Sequence, residues 1–208
     1  MPIILGSIAL FLFLVCALGS YGGWVYYKQI TGKVPGHQGF GYGELGIQVE
    51  NGWVAQKYPE LGMTLETPTY FIPYYRTILQ HKYPWVTSYE SFHGRVSKAS
   101  YIVGALWMDP SSPHFSGERS ARNVISMLEA NSVYQGVHGD VGKGTVAGKE
   151  VSTLYVTYDY SGVPYREKAI HFTTRDAVVY IITTYKEANA AKADQDWHHL
   201  LESIKFTH

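Results

Sequence analysis

Cysteine, charge and catalytic signatures are what this chain has least of. A single cysteine in 208 residues, Cys16, excludes an intrachain disulfide and a thiolate metal cluster. Lys and Arg total 17, Asp and Glu total 17, and charged residues are only 16% of the chain. Nucleic-acid binders carry a basic patch or a basic excess, so that class has no electrostatic footprint here. No G-x-S-x-G elbow occurs and the lone cysteine sits inside an apolar run, which removes the commonest nucleophile signatures. No histidine falls in H-x-H or H-E-x-x-H. His198 and His199 are adjacent on an expected helix, where side chains diverge by about 100° and cannot grip one ion as an i, i+4 pair would. His93, His114, His138 and His171 are left able to meet only in space.

Two stretches imitate nucleotide loops and fail on context. Residues 41–46, G-Y-G-E-L-G, match a dinucleotide fingerprint, but glycines precede them and an extended Ile47-Gln48-Val49 follows, where a strand and then a helix are required. In residues 136–145 the glycine needed five positions before Gly142 is Val137, and Lys143 is followed by Gly144 instead of Ser or Thr. With no helix N-terminus behind it the anion geometry is missing, and the stretch reads as a glycine-rich connection. Asp109 and Glu118 could be imagined as a carboxylate pair, but Asp109-Pro110-Ser111 is turn chemistry after a strand. No nucleotide, cofactor or metal is expected.

Charge is also absent from residues 3–27, and this absence is informative. A helix over residues 3–25 is roughly 35 Å long, enough for the ~30 Å hydrocarbon core of a bilayer. Tyr21, Trp24, Tyr26, Tyr27 and Lys28 then form an amphipathic cluster suited to the headgroup level. A cleaved signal peptide is the competing reading. Against it, no Lys or Arg precedes the run, which exceeds the usual signal core of about 7–15 residues. The expectation is a retained transmembrane anchor at residues 1–28. Seven glycines and Pro35 in residues 29–52 read as a flexible linker, leaving residues 53–208 as one globular domain. Lys28 and Lys33 flank the run on its carboxyl side, which leans towards a cytoplasmic domain.

Within the domain, residues 62–68 alternate Met63 and Leu65 with polar neighbours, as a half-buried strand does, and stop at Pro68. About two helical turns are expected around Tyr75, Ile78 and Leu79. Residues 99–108 are nearly continuous in apolar side chains and predict a central strand covered on both faces. Ser116 is an N-cap candidate with Glu118 in the first turn, and Ala121, Val124, Ile125 and Leu128 form one helical stripe closed by Asn131-Ser132. Leu154, Val156 and Tyr158, then Ile170 and Phe172, then Val178, Tyr180 and Ile182 predict a three-stranded meander. A last helix from about Asp194 presents Trp197, Leu200, Leu201 and Ile204. This is an α+β domain: an antiparallel sheet with helices packed on it.

Four phrases carry a family resemblance. They are residues 58–63 (Y-P-E-L-G-M) entering a strand that ends at a proline, residues 146–150 (V-A-G-K-E) leading into a long strand, residues 175–182 (R-D-A-V-V-Y-I-I) and residues 201–206 (L-E-S-I-K-F). Over roughly residues 54–206 the chain resembles the PsbP-like family, whose α/β/α sandwich is shared with a nuclear Ran-binding protein and with DcrB-type lipoproteins. It departs from the family at Ala177, where a glycine is usual, and in lacking a tryptophan soon after the first strand's proline. The resemblance implies a non-enzymatic domain, often extracytoplasmic, that assists or binds other proteins; it supplies no catalytic residues, and against the flanking charges it sets the expectation of an extracytoplasmic domain.

The remaining feature is an aromatic band: Tyr70, Phe71, Tyr74, Tyr75, Tyr83, Trp85 and Tyr89. Part of it must be core. Rings left exposed, with Tyr74, Tyr75, Tyr83 and Trp85 the candidates, would suit a protein or glycan partner. The sequence thus predicts a membrane-anchored accessory or binding protein held in the bilayer by its N-terminal helix. The alternative is an anchored hydrolase or glycan-active enzyme whose acid and base come from distant segments.

Overall fold

The computed structural model describes residues 52–73, 83–96 and 99–207. The expected anchor, the linker up to residue 51, the turns around Tyr75 and the candidates Tyr74 and Tyr75 lie outside the described residues. No helix among those described is long and apolar enough to cross a membrane.

The strands are β1 (Val54–Tyr58), β2 (Met63–Thr67), β3 (Ile72–Pro73), β4 (Ser88–Val96), β5 (Ala99–Trp107), β6 (Tyr134–Val146), β7 (Lys149–Tyr160), β8 (Val163–Thr173), β9 (Ala177–Lys186) and β10 (Lys205–Phe206). The helices are α1 (Gly117–Glu129), between β5 and β6, and α2 (Ala190–Ser203), before β10. Seven strands form one sheet in the order β3-β4-β5-β9-β8-β7-β6, and β1-β2-β10 form a second. All pairings are antiparallel. The chain leaves β5, crosses one face as α1, and returns through a meander that inserts β9 beside β5.

Period-2 alternation assigns the two faces. On the α1 face a row of directly opposed residues runs Val141, Leu154, Ala169, Ile182, Ile102 across β6, β7, β8, β9 and β5. Ala121 and Leu128 of α1 close over it, with Val124 and Ile125 packed alongside, so the helical stripe lands on the sheet's apolar row. Ser116 caps α1, its Oγ accepting from the Arg119 amide at 3.3 Å. On the opposite face α2 buries Ala193, Trp197 and Leu200. The small sheet joins it: Tyr58 meets Phe92 edge-on at 5.2 Å, and Phe206 meets Phe172 at 5.4 Å. Ser203 Oγ accepts from the Glu66 amide at 2.8 Å, tying α2 to β2.

Three expectations change. The stretch at residues 136–145 is not a connection but most of β6, a full edge strand paired with β7. The predicted meander therefore has four strands, not three. Glycine lowers strand propensity, yet here the neighbouring strand and the α1 contacts hold the backbone extended, and Gly139 leaves room for Ile125, which an added Cβ would meet at 2.7 Å. Helix α2 begins at Ala190, four residues before Asp194, because a 3-10 turn over Glu187–Asn189 leads directly into it. The strands β2 and β5 and the helix α1 fall where expected.

Candidate functional site

Among the described residues of the aromatic band, Phe71 is buried and Tyr70, Tyr83, Trp85 and Tyr89 are half-buried. Phe71 stacks at 6.2 Å on Tyr101. Tyr83, Trp85 and Tyr89 are half-buried around Val86, Met108 and Val178. Trp85 lies flat on His114, with centroids 3.9 Å apart and planes 9° apart, and Tyr83 meets Trp85 edge-on at 5.5 Å. Tyr83 and Trp85 thus close one end of the α1 face of the sheet.

The described histidines do not converge. His93 stands on β4, hydrogen-bonded to Ser91 at 3.0 Å, while His138 is on β6 across the sheet. His114 belongs to the Trp85 stack, and His171 is buried under α1. His198 and His199 are exposed and pair separately with Glu202 and Glu66. Among the described residues no cluster of His, Cys, Asp or Glu could hold a metal. Asp109 makes the expected turn: its Oδ1 accepts from the Ser111 amide and hydroxyl, both at 2.8 Å, which lowers the carboxyl's pKa.

Two buried titratable groups on β8 were not visible as motifs. His171 is 1% exposed, its Nδ1 3.0 Å from Ser120 Oγ on α1. Burial pushes its pKa down to about 3, so the imidazole is neutral at physiological pH and too weak a base to activate the serine. Among the described residues its Nε2 meets no partner, so the pair lacks the orienting acid of a triad. Glu167, on the same face, is buried, and the Thr184 hydroxyl donates to its Oε2 at 3.2 Å. Burial pushes its carboxyl up to about 7, partly opposed by that bond.

Beside Glu167, four tyrosines form a closed circuit of ring contacts. Tyr134 meets Tyr158 (5.2 Å), Tyr158 stacks on Tyr165 (5.9 Å), Tyr165 meets Tyr160 (6.1 Å), and Tyr160 returns to Tyr134 (5.6 Å). Register builds this circuit, since Tyr134 is directly opposite Tyr160 and Tyr158 is directly opposite Tyr165. Cross-strand aromatic pairs are the unit of sheet stabilisation. Tyr158 is buried, and its hydroxyl's pKa is raised by burial and by Glu167, Tyr134 and Tyr165. Tyr160 is 44% exposed. The other large hydrophobic side chains exposed among the described residues lie at this same end: Met127 in the last turn of α1 and Val133 in the loop before β6. Of the four tyrosines in the circuit only Tyr160 is exposed; Tyr134 and Tyr165 are half-buried.

No protein-family model and no curated protein matches the sequence. Solved structures do match in shape. The solution structure of cyanobacterial PsbP (CyanoP) from Synechocystis sp. PCC 6803 aligns with a TM-score of 0.54 over 83% of this chain and 98% of its own, at 12% identity. PA94, a protein of unknown function and putative regulator from Pseudomonas aeruginosa, aligns at 0.41 with 16% identity over 73% of this chain and 94% of its own. LpqN, involved in cell envelope biogenesis of Mycobacterium tuberculosis, aligns at 0.39 with 14% identity over 84% and 90%. At such identities a likeness speaks for the fold alone. An antiparallel sheet with α1 on one face and α2 on the other is the α/β/α arrangement that the resemblance implies, and the domain has the PsbP-like fold.

Proposed function

We propose that this chain is a membrane-anchored accessory protein whose PsbP-like domain binds a protein partner through the tyrosine face at the end of α1. One observation carries the reading: the large hydrophobic side chains exposed among the described residues, Met127, Val133 and Tyr160, come from the end of α1, the loop before β6 and the end of β7, and the ring of Tyr160 belongs to the tyrosine circuit. Residues 1–28 supply the anchor, residues 29–52 the tether, and the domain faces the extracytoplasmic side. A photocrosslinking residue in place of Tyr160, in the intact membrane, is expected to trap a discrete partner band. That band should disappear when Met127 and Val133 are both changed to Lys. An unchanged band in the double variant would sink the assignment of this face. Protease added to intact cells or spheroplasts is expected to remove the domain, and protection until lysis would reverse the orientation.

Glu167 favours a second reading. A buried carboxyl with a pKa near 7 can act as a general acid or base, which is what a hydrolase or glycan-active enzyme would use. Peptide and glycan substrate panels test it: turnover lost in a folded Glu167→Gln variant would support it, and no turnover by the wild-type chain would dismiss it.

A further inference from the structure

The outer edge of β6 pairs with no strand among the described residues. After an irregularity between Gln135 and His138, residues 139–146 keep regular register with β7, a run of roughly 27 Å at about 3.4 Å per residue. It contains no proline, so every residue retains its N–H, and alternate residues turn N–H and C=O away from β7.

The two sides of this edge differ. On the α1 side Gly139 lies against Ile125 and Val141 packs into the core. On the other side the strand presents Asp140, then Gly142 and Gly144, whose missing side chains leave Thr153 of β7 at the rim. Behind them is a groove of about 340 Å³ lined by Thr153, Tyr155, Ile170, Trp197 and Leu201. α2 packs on β9 and β2, and the groove runs between it and the outer strands. Lys168, on the groove wall, is engaged by Asp194 at 2.8 Å. Asp140 is exposed and makes no ion pair among the described residues, so the rim carries one uncompensated negative charge.

We propose that the β6 edge is a strand-addition site for an extended segment of a partner polypeptide. That segment lays an apolar side chain over Gly142 into the groove and sets a Lys or Arg two residues away against Asp140. A row of alternating donors and acceptors at strand spacing is matched along its length only by another extended backbone. Asp140 and Gly142 are two residues apart on one face, so the partner's basic and apolar residues must also alternate by two. The inference rests on the binding-protein reading only in giving the domain a polypeptide partner, since it uses a different surface.

The test pans a random octapeptide display library on the full-length chain in detergent micelles. Enriched peptides should place Lys or Arg two residues from a large apolar residue and should slow hydrogen exchange at least tenfold at the β6 amides that face away from β7. N-methylating alternate peptide nitrogens should weaken binding at least tenfold in one of the two phases only. Gly142→Leu, which fills the groove mouth, should weaken binding at least tenfold, whereas Lys143→Ala on the other face should not. Circular dichroism checks that both variants remain folded, and Asp140→Lys should invert the charge preference. Four outcomes overturn the proposal: no enriched sequence, binding indifferent to both N-methylated phases, protection around Tyr160 instead of β6, or protection in the free chain of those β6 amides that face away from β7. In the third case the tyrosine-face reading survives. In the fourth, dependence of the protection on protein concentration distinguishes a second copy from the chain's own N-terminal residues.

Discussion

Glu167 and His171 lie four residues apart on one face of β8, both buried, and their pKa values are displaced towards each other's usual range: the carboxyl is pushed up from 4.5 to about 7 and the imidazole down from 6.5 to about 3. Burial causes both shifts because it penalises the charged form of each. The folded state holds an extra proton on Glu167 between about pH 4.5 and 7. The stability from that group is therefore complete below pH 4.5 and is lost as pH rises through 7. The folded state refuses a proton on His171 between about pH 3 and 6.5, so its contribution is complete above 6.5 and is lost as pH falls towards 3.

Between pH 4.5 and 6.5 the two slopes have opposite sign and cancel. The wild-type domain should therefore show nearly flat stability across this window. Glu167→Gln should gain stability with rising pH by about 1.4 kcal/mol per unit, and His171→Phe should lose it by about the same. Urea unfolding at three pH values reads all of this. Parallel profiles for the three proteins would refute the burial argument.

The ring of Tyr180 on β9 lies across Gly104 on β5, its directly opposed partner, so a Cβ at 104 would fall 2.3 Å from the phenol carbon and oxygen. The hydroxyl is further held by Tyr89. Gly104→Ala should cost roughly 1–3 kcal/mol through overpacking. In a Tyr180→Ser background the same change should cost under about 0.5 kcal/mol, because the obstruction is the ring itself. An equal cost in both backgrounds would trace the effect to backbone freedom instead.

Much of this fold could be read from periodicity, and the parts that could not share a physical reason. α1, β2 and β5 are elements whose apolar spacing or cap is local, so their residues announce them. β4 and β6 escape because their burial is supplied by partners distant in sequence: β4 carries Ser91, His93 and Arg95 among few aliphatics, and β6 is built around Gly136, Gly139, Gly142 and Gly144. The tyrosine circuit was partly legible. The turn at residues 161–162 sets Tyr158 opposite Tyr165 by counting outward, whereas Tyr134 arrives only with the β6 pairing. Glu167 left no sequence signal beyond a charge inside an extended run. Its displacement comes from burial, partly opposed by the Thr184 hydroxyl, and tertiary structure alone supplies both.

The cap of α1 supplies an independent check on the α1 packing. Ser116 has extended backbone, and its side chain accepts the Arg119 amide. Ser116→Ala should cost about 0.5–2 kcal/mol, and Ser116→Asp should restore most of it by satisfying the same amide and meeting the positive end of the helix dipole. Thermal unfolding of the three proteins decides the point, and failure of Asp to rescue would place the loss outside the cap.

The tyrosine face makes a prediction that separates binding from folding. Met127 is 55% exposed and Tyr160 44% exposed, so little apolar burial depends on either in the free domain. Met127→Lys and Tyr160→Ser should each change unfolding free energy by no more than about 0.5–1 kcal/mol, as surface substitutions do. Tyr158→Ser, at the buried corner of the same circuit, should cost roughly 3–5 kcal/mol, because it removes a core ring and leaves a cavity beside Glu167. If these exposed side chains serve a partner, Met127→Lys and Tyr160→Ser should nevertheless reduce crosslinking from a photocrosslinking residue placed at the exposed Val133 as strongly as each other, while leaving the unfolding midpoint in place. Loss of crosslinking only in variants that also lower the midpoint would mean that the circuit is a staple for the β7-β8 hairpin, with Tyr160 a solvent-facing end of the core.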